Sequence, residues 1–382
     1  MSHLFSLDDI KAFGWPKADG VALTQDVCFT AIPAGTCYDC TTVCASAKYV
    51  GDAPSVAFEL WGLWDDGPEE RLYRSLDYAI GSSNVLRHQQ WRIPPIFDPH
   101  LQLRVRLTVP EGTELTLTDF HGSCDSRVRD WNGGVRFNSH LGFFGLAPFN
   151  TMAAYELAAR CGYPACIVNP RITKDGVFVC LHDETINDTA RDKNGNPPSE
   201  PLYVCDMTYD ELLAWDFGVH KSRLFRGTPI PRLSDFFLLC AKTGMRPMFS
   251  THLRMSEDEW RAIRSMLERY RLLHLFHIKS FKLEILEDAY AVFGDEIEGY
   301  TWDEGNARQF QNSALGRSPR RLVIERLPDR TTEDVIRADR AAGFETAVYE
   351  MGHCSGEDYR KFFELGVTEF TEDHHCSMGL NW

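Results

Sequence analysis

Ala165-Cys166-Ile167-Val168-Asn169-Pro170-Arg171-Ile172-Thr173-Lys174-Asp175-Gly176-Val177-Phe178-Val179-Cys180-Leu181-His182-Asp183 is the stretch that decides the architecture. Its two apolar runs, 165–168 and 177–181, read as short strands. Outward from it, the chain after Trp131-Asn132-Gly133-Gly134 alternates strands with helices. Residues 135–138 read as a strand, and 151–161 carries helical spacing with Met152, Tyr155 and Ala159 on one face. Strand-like runs recur at 246–250, 275–279, 322–325, 346–350 and 367–371. Helices are expected at 256–270 and 332–342, where Ser256-Glu257-Asp258-Glu259 and Thr332-Glu333-Asp334 supply caps and negative first turns. About eight such units in roughly 250 residues fit a (β/α)8 barrel, whose active site lies at the C-terminal strand ends.

Before residue 131 the pattern has period two. Leu101-Gln102-Leu103-Arg104-Val105-Arg106-Leu107-Thr108-Val109 alternates apolar with polar, as a half-buried strand does. Similar strands read at 26–32, 37–45, 56–64, 71–80, 89–93 and 114–120, with turns such as Asp65-Asp66-Gly67-Pro68 and Pro110-Glu111-Gly112-Thr113 between them. Short strands at this spacing suggest an antiparallel β-sandwich. The expected division is a sandwich over 1–130 and a barrel over 131–382. The irregular stretch 187–203 follows His182 and is expected to overhang the barrel mouth.

Acidic residues outnumber basic ones, 55 to 40, for a formal charge of −15. Nucleic acid, which needs clustered Lys and Arg, is therefore not an expected partner, and a grip on anionic lipid is disfavoured. No run approaches the ~18 apolar residues of a membrane span. The N-terminal Met1-Ser2-His3-Leu4-Phe5-Ser6-Leu7-Asp8-Asp9 has neither the basic start nor the apolar core of a secretory signal. Twelve cysteines in such a chain read as reduced thiols, hence a cytoplasmic protein. Cys37-Tyr38-Asp39-Cys40-Thr41-Thr42-Val43-Cys44 invites a zinc reading, but no nearby His completes a site, and buried thiols in a sheet are expected instead. His374-His375-Cys376 is read as a rim or tail feature. No Gly-rich phosphate loop or Gly-x-Ser-x-Gly elbow is present.

The polar motifs also fall in a telling order. Asn138-Ser139-His140-Leu141-Gly142 comes first, then Ala147-Pro148-Phe149-Asn150-Thr151, then Asn169 to Gly176, then His182-Asp183. This order resembles the glycerophosphodiester phosphodiesterase family, whose pattern reads His-Arg-Gly, Glu-Asn-Thr, Glu-x-Asp-Val-Arg-x-Thr-Lys-Asp-Gly and His-Asp. The resemblance runs over 137–375, through Trp215-Asp216-Phe217-Gly218, Ile230-Pro231-Arg232-Leu233-Ser234-Asp235 and Gly366-Val367-Thr368-Glu369-Phe370-Thr371-Glu372-Asp373. The sandwich lies outside it. What it implies is a phosphodiesterase-type barrel with His140 and His182 as its acid–base pair. It also implies a divalent metal on a Glu and an Asp of the second strand and a Glu of the fourth. Those positions here are Ile167, Asn169 and, approximately, Ser250. The family's Arg and the Glu of Glu-Asn-Thr are Leu141 and Phe149. Mg²⁺ and Ca²⁺ need charged oxygen ligands, so the expectation is a divergent member with no metal and no other cofactor.

His140 and His182 are expected at the ends of the first and third strands, where one imidazole can accept a proton and the other donate one. Asp183 orients His182 or caps the following loop. Arg171, His252 and Lys279 (read as ending the fifth strand) are candidates to take over the metal's charge, beside Asn169. In related barrels, bacterial phosphatidylinositol-specific phospholipase C places an arginine where the metal would sit. Glu325, Glu350 and Glu372-Asp373, at late strand ends, point elsewhere. Paired carboxylates suit glycosidic cleavage, unless they form ion pairs with Arg326, Arg321 or Lys279. Trp215, Tyr300, Trp302 and Tyr349 could stack on a sugar. The leading expectation is a hydrolase of a small phosphodiester, hence of lipid metabolism. Its rivals are a carbohydrate-active enzyme on the same barrel and a non-catalytic barrel that binds a ligand or partner.

Overall fold

The computed structural model describes residues 136–302, 322–349 and 356–372 with residues 309 and 313, and before them ten strands with residues 65 and 67–69. The chain divides into two compact units, one of Met1–Asp130, Gly352–Lys361 and His374–Trp382, the other of Trp131–Met351 and Phe362–Asp373.

The first unit holds two antiparallel sheets, numbered here in chain order. One contains β1 (Ser2–Phe5), β2 (Val21–Leu23), β4 (Cys40–Val50), β8 (Val85–Ile93) and β10 (Glu114–Asp125), in the order β1-β10-β4-β8 with β2 also on β10. The other contains β3 (Val27–Pro33), β5 (Ser55–Trp64), β6 (Glu70–Arg74), β7 (Tyr78–Ala79) and β9 (Leu101–Thr108), in the order β3-β9-β5-β6 with β7 on β5. This is the antiparallel sandwich that the period-two pattern indicates. Leu60, Leu72 and Leu101 are buried in the second sheet. Glu59 is buried with them, and its charge is met by Trp61 Nε1, which donates at 2.8 Å, and by Arg71 and Arg74 at 3.3 and 3.5 Å. The side chains of Cys37, Cys40 and Cys44 lie outside the described residues, as do His374, His375 and Cys376.

The second unit is a closed barrel of eight parallel strands. They are β11 (Arg136–Ser139), β12 (Ala165–Val168), β15 (Arg246–Ser250), β16 (His277–Lys279), β17 (Glu298–Trp302), β18 (Leu322–Arg326), β19 (Glu345–Val348) and β20 (Glu369–Glu372), and β20 pairs with β11 to close the ring. Between β12 and β15 the chain makes a two-stranded antiparallel hairpin, β13 (Pro170–Ile172) and β14 (Phe178–Cys180).

That hairpin corrects the strand count. Residues 177–181 do form a strand, but they pair with 170–172 outside the barrel, so the third barrel strand is β15 and the fourth is β16. Ser250 thus ends the third strand and Lys279 the fourth. The total of eight is recovered by β17, which carries no strand signature: Glu298-Gly299-Tyr300-Thr301-Trp302 opens on a carboxylate and a glycine and has no continuous apolar run. Periodicity tells a strand from a helix; it does not say which strand it will pair with.

The barrel unit's helices are α1 (Met152–Arg160), α2 (Tyr209–Leu212), α3 (Leu233–Thr243), α4 (Glu257–Arg269), α5 (Leu283–Phe293) and α6 (Glu333–Ala341); α7 (Gly356–Glu364) begins in the segment that belongs to the first unit. Ser256 caps α4 in a full capping box with Glu259, and Thr332 caps α6, as their sequences dictate. Between helices and barrel lies a core rich in aromatics, with Phe237, Phe249, Trp260, Phe276 and Phe293 all buried. Inside the barrel Ile167, Met248, Tyr300, Val323 and Ala347 form an apolar layer, topped by Leu141 and Phe149. Beneath it is a polar floor. Tyr300 Oη and Asn138 Nδ2 each donate to Glu369 at 2.8 Å, and His277 sits 3.1 Å from Tyr300 Oη and 3.4 Å from Glu298. Tyr300 is therefore a floor residue that no sugar can reach.

Candidate active site

His140 follows β11 directly, half-exposed, with its ring edge-on to Phe144 at 5.8 Å. The turn behind it is strained. Leu141 and Asn150 hold φ of 56° and 54°, a region unfavourable to side-chain-bearing residues. At Gly142 (φ 87°) a Cβ would meet the Ala154 Cβ at 2.6 Å, so only glycine lets this turn lie against α1. Asn150 N–H donates to the Leu141 carbonyl at 3.0 Å and fastens the loop. Leu141 is thereby tucked into the apolar layer, where the family pattern has an arginine.

His182 stands just past β14, at the root of the hairpin and not at the end of a barrel strand. Its Nδ1 is 2.7 Å from Asp183 Oδ1. Because a carboxylate only accepts, Nδ1 carries the proton and Nε2 is left to exchange one. Arg171, on β13, donates through Nε (3.2 Å) and Nη2 to the His182 carbonyl oxygen. The hairpin register sets this contact, since Arg171 lies across from Val179. Burial lowers the Arg171 pKa, which the Glu184 and Asp183 carboxylates partly offset. His252, in the loop after β15, stacks on the exposed ring of Phe281 at 5.0 Å. Burial lowers its pKa first, then the nearby charges of His182, Arg171, Lys282 and Lys279. The structure thus brings His182, Arg171 and His252 into one neighbourhood, with the Asp183 and Glu184 carboxylates near Arg171 and with Lys279 paired to Glu325.

At the barrel top the donors are neutral and mutually satisfied. Asn150 Nδ2 donates to Asn169 Oδ1 at 3.0 Å, Asn169 Nδ2 donates to the Ser250 carbonyl at 2.9 Å, and Tyr155 Oη donates to Asn150 Oδ1 at 2.7 Å. Ile167 lies below in the apolar layer. Among the described residues no group of three or more His, Cys, Asp or Glu is placed to hold a metal ion.

Lys279 and Glu325 face each other across the barrel as an ion pair, the one 2% and the other 0% exposed at the side chain. Thr371 Oγ1 also donates to Glu325 at 2.9 Å, and Lys279 Nζ lies 5.5 Å above the Tyr349 ring. Of the two roles weighed for Glu325, the structure shows the ion pair. Glu350 and the side chains of Glu372 and Trp302 lie outside the described residues.

One group was missed altogether. His220 lies in the insertion between β14 and α3, its ring 6.4 Å from Phe149 at the barrel top. Burial lowers its pKa to about 4, reinforced by Arg191 and Lys221, against the opposing effects of Asp216 and a hydrogen bond to the Thr189 carbonyl. The only sequence signal was the motif spacing around Asp216. Between about 4 and the ordinary 6.5, the unfolded chain takes up a proton that the fold refuses, so this group makes stability fall as pH drops through that window. A His220→Gln variant is expected to lose less melting temperature than wild type between about pH 7 and pH 4.5; equal losses would refute this.

The sequence profile of the glycerophosphoryl diester phosphodiesterase family matches residues 140–257. A glycerophosphodiester phosphodiesterase of Caldanaerobacter subterraneus subsp. tengcongensis is 34% identical over 101 residues, 26% of this chain and 38% of that protein. The chain thus spans well under two thirds of that relative's length. Among solved structures, an Oleispira antarctica phosphodiesterase in complex with the product sn-glycerol-3-phosphate superposes with a TM-score of 0.53 at 19% identity, over 63% of this chain and 93% of that one. The glycerophosphodiester phosphodiesterase of Agrobacterium tumefaciens does so with a TM-score of 0.51 at 21% identity, over 64% and 98%. The fold is therefore the phosphodiesterase type of TIM barrel. Residues 140–257 thus carry the sequence pattern of the glycerophosphodiester phosphodiesterase family. No helix among the described residues is long and apolar enough to cross a membrane.

Proposed function

We propose that the chain hydrolyses a small phosphodiester of the glycerophosphodiester class by proton exchange through His140 and His182, in the cytoplasm and without a divalent ion. The observation that carries this reading is the mounting of His182. Its ring is fixed by Asp183 and its backbone by Arg171, beside cationic side chains suited to a phosphodiester anion. One imidazole takes the proton of the attacking water as its oxygen bonds to phosphorus. The other gives a proton to the departing alcohol oxygen as the old P–O bond breaks. The products are a phosphate monoester and an alcohol. The sn-glycerol-3-phosphate held by the Oleispira protein is a monoester of this kind. Lys282 and Arg171 would supply positive charge for the anion, whereas Lys279 contributes little net field because Glu325 neutralises it.

The family's metal position does not fit a hard divalent cation in this chain. Ile167 offers no donor, Asn169 and Ser250 offer neutral oxygens, and those of Asn169 and the Ser250 backbone already accept hydrogen bonds. Without charged ligands the dehydration of Mg²⁺ or Ca²⁺ goes unmatched, so no step is routed through one. Hydrolysis of glycerophosphoglycerol by metal-stripped protein in excess EDTA tests the proposal. Rates within about twofold of the untreated protein are expected, whereas a loss of about tenfold or more restored by Mg²⁺ or Ca²⁺ would overturn the metal-free reading.

A further inference from the structure

The insertion that carries His182 also contains a cavity of about 470 Å³, bordered by residues 191–195, 213–216, Val219, 226–227 and Pro229. None of its lining belongs to the set placed at the barrel mouth. Its size lies within the range of small-ligand sites. Its walls are tied together. Arg191 and Asp216 exchange backbone hydrogen bonds of 2.8 and 2.9 Å. Asp216 accepts from the N–H groups of Gly218 and Val219 through Oδ1, at 2.8 and 3.1 Å, and from Gly227 through Oδ2 at 2.7 Å. Asp192 Oδ1 accepts from the N–H groups of Asn194 and Asn196, both at 2.8 Å.

Both wall carboxylates are thus engaged by backbone amides. The cations divide differently. Arg191 Nη1 is shared among the Asn187, Asp188 and Ala190 carbonyls. Lys193 and Arg226 are exposed, and their side chains have no hydrogen-bond or ion-pair partner among the described residues. The same cavity is lined by the half-buried Trp215 ring and by Leu213, 45% exposed, one of four large apolar side chains so open to solvent among the described residues. A fork, a point charge and an apolar wall in one concavity suit a doubly charged head on a flat body.

We propose that this cavity binds a phosphate monoester bearing a flat apolar group, at a site separate from the barrel mouth and independent of the hydrolytic reading. Titration calorimetry on the full chain, with phenyl phosphate, inorganic phosphate and phenol as probes, tests it. Phenyl phosphate is expected to bind wild type and His182→Ala alike, and at least about tenfold more weakly to Lys193→Ala/Arg226→Ala. Trp215→Leu is expected to reduce the advantage of phenyl phosphate over inorganic phosphate. Both substituted cations are exposed, so the double variant is expected to keep the wild-type melting temperature. The proposal is overturned if phenyl phosphate does not bind, if the double variant binds as wild type does, or if His182→Ala abolishes binding. Equal affinity for inorganic and phenyl phosphate overturns the flat-body requirement.

Discussion

In the His182→Ala variant, kcat/KM for glycerophosphoglycerol falls roughly 10²- to 10⁴-fold, the range that general acid–base catalysis supplies. His140→Ala falls within the same range. The double variant falls little further than the worse single one, because two groups that exchange protons in one displacement act as a unit. Arg171 supplies the internal control. Its guanidinium holds the His182 carbonyl through two nitrogens, so it acts on the reaction by positioning that residue. Arg171→Met is therefore expected to lower kcat with little change in KM, and Arg171→Lys, which keeps one donor, to recover part of the loss. Steady-state kinetics at one pH, with circular dichroism to show that each variant is folded, decides the matter. Wild-type rates in both histidine variants would remove the proposed mechanism and leave the fold untouched.

Replacing Lys279 with methionine, or Glu325 with leucine, is expected to cost about 3–5 kcal/mol of stability, because each single change takes the oppositely charged partner away from a charge that stays buried. The pair is buried within the barrel, where solvent cannot compensate. Glu325 would retain Thr371 as a neutral donor, and Lys279 would keep the face of Tyr349. The double variant Lys279→Met/Glu325→Leu is expected to recover most of the loss, since an apolar pair of similar volume needs no desolvation. Urea denaturation of the four proteins closes the cycle. Single variants within about 1 kcal/mol of wild type would mean that the pair is not buried in solution. The same pair bears on chemistry. A carboxylate committed to Lys279 is a poor candidate for sugar cleavage, and this leaves the glycosidase alternative without its first residue.

Much of the barrel was legible because its elements announce themselves locally. Ala165–Val168 and Arg246–Ser250 are apolar runs whose bounds the sequence marks, and Ser256 and Thr332 mark helix starts by capping chemistry. β17 was not legible, because its buried residues face a polar floor and include Tyr300 and Thr301. A strand that buries a tyrosine hydroxyl against a carboxylate and a threonine hydroxyl against a backbone carbonyl carries no apolar signature. His220 escaped for a related reason. Its environment comes from Phe149, Thr189 and Arg191, each far from it in the chain.

By itself the sequence determined the alternation of strands and helices, the sandwich before it and the order of the motif histidines, since those depend on periodicity and spacing within a few residues. Tertiary structure alone decided that Val179 pairs with Arg171 instead of joining the barrel, that Arg171 serves the His182 backbone, and that Lys279 meets Glu325. Register and charge pairing join residues distant along the chain. They are settled by which partners can satisfy buried polar groups, a requirement that no local pattern encodes.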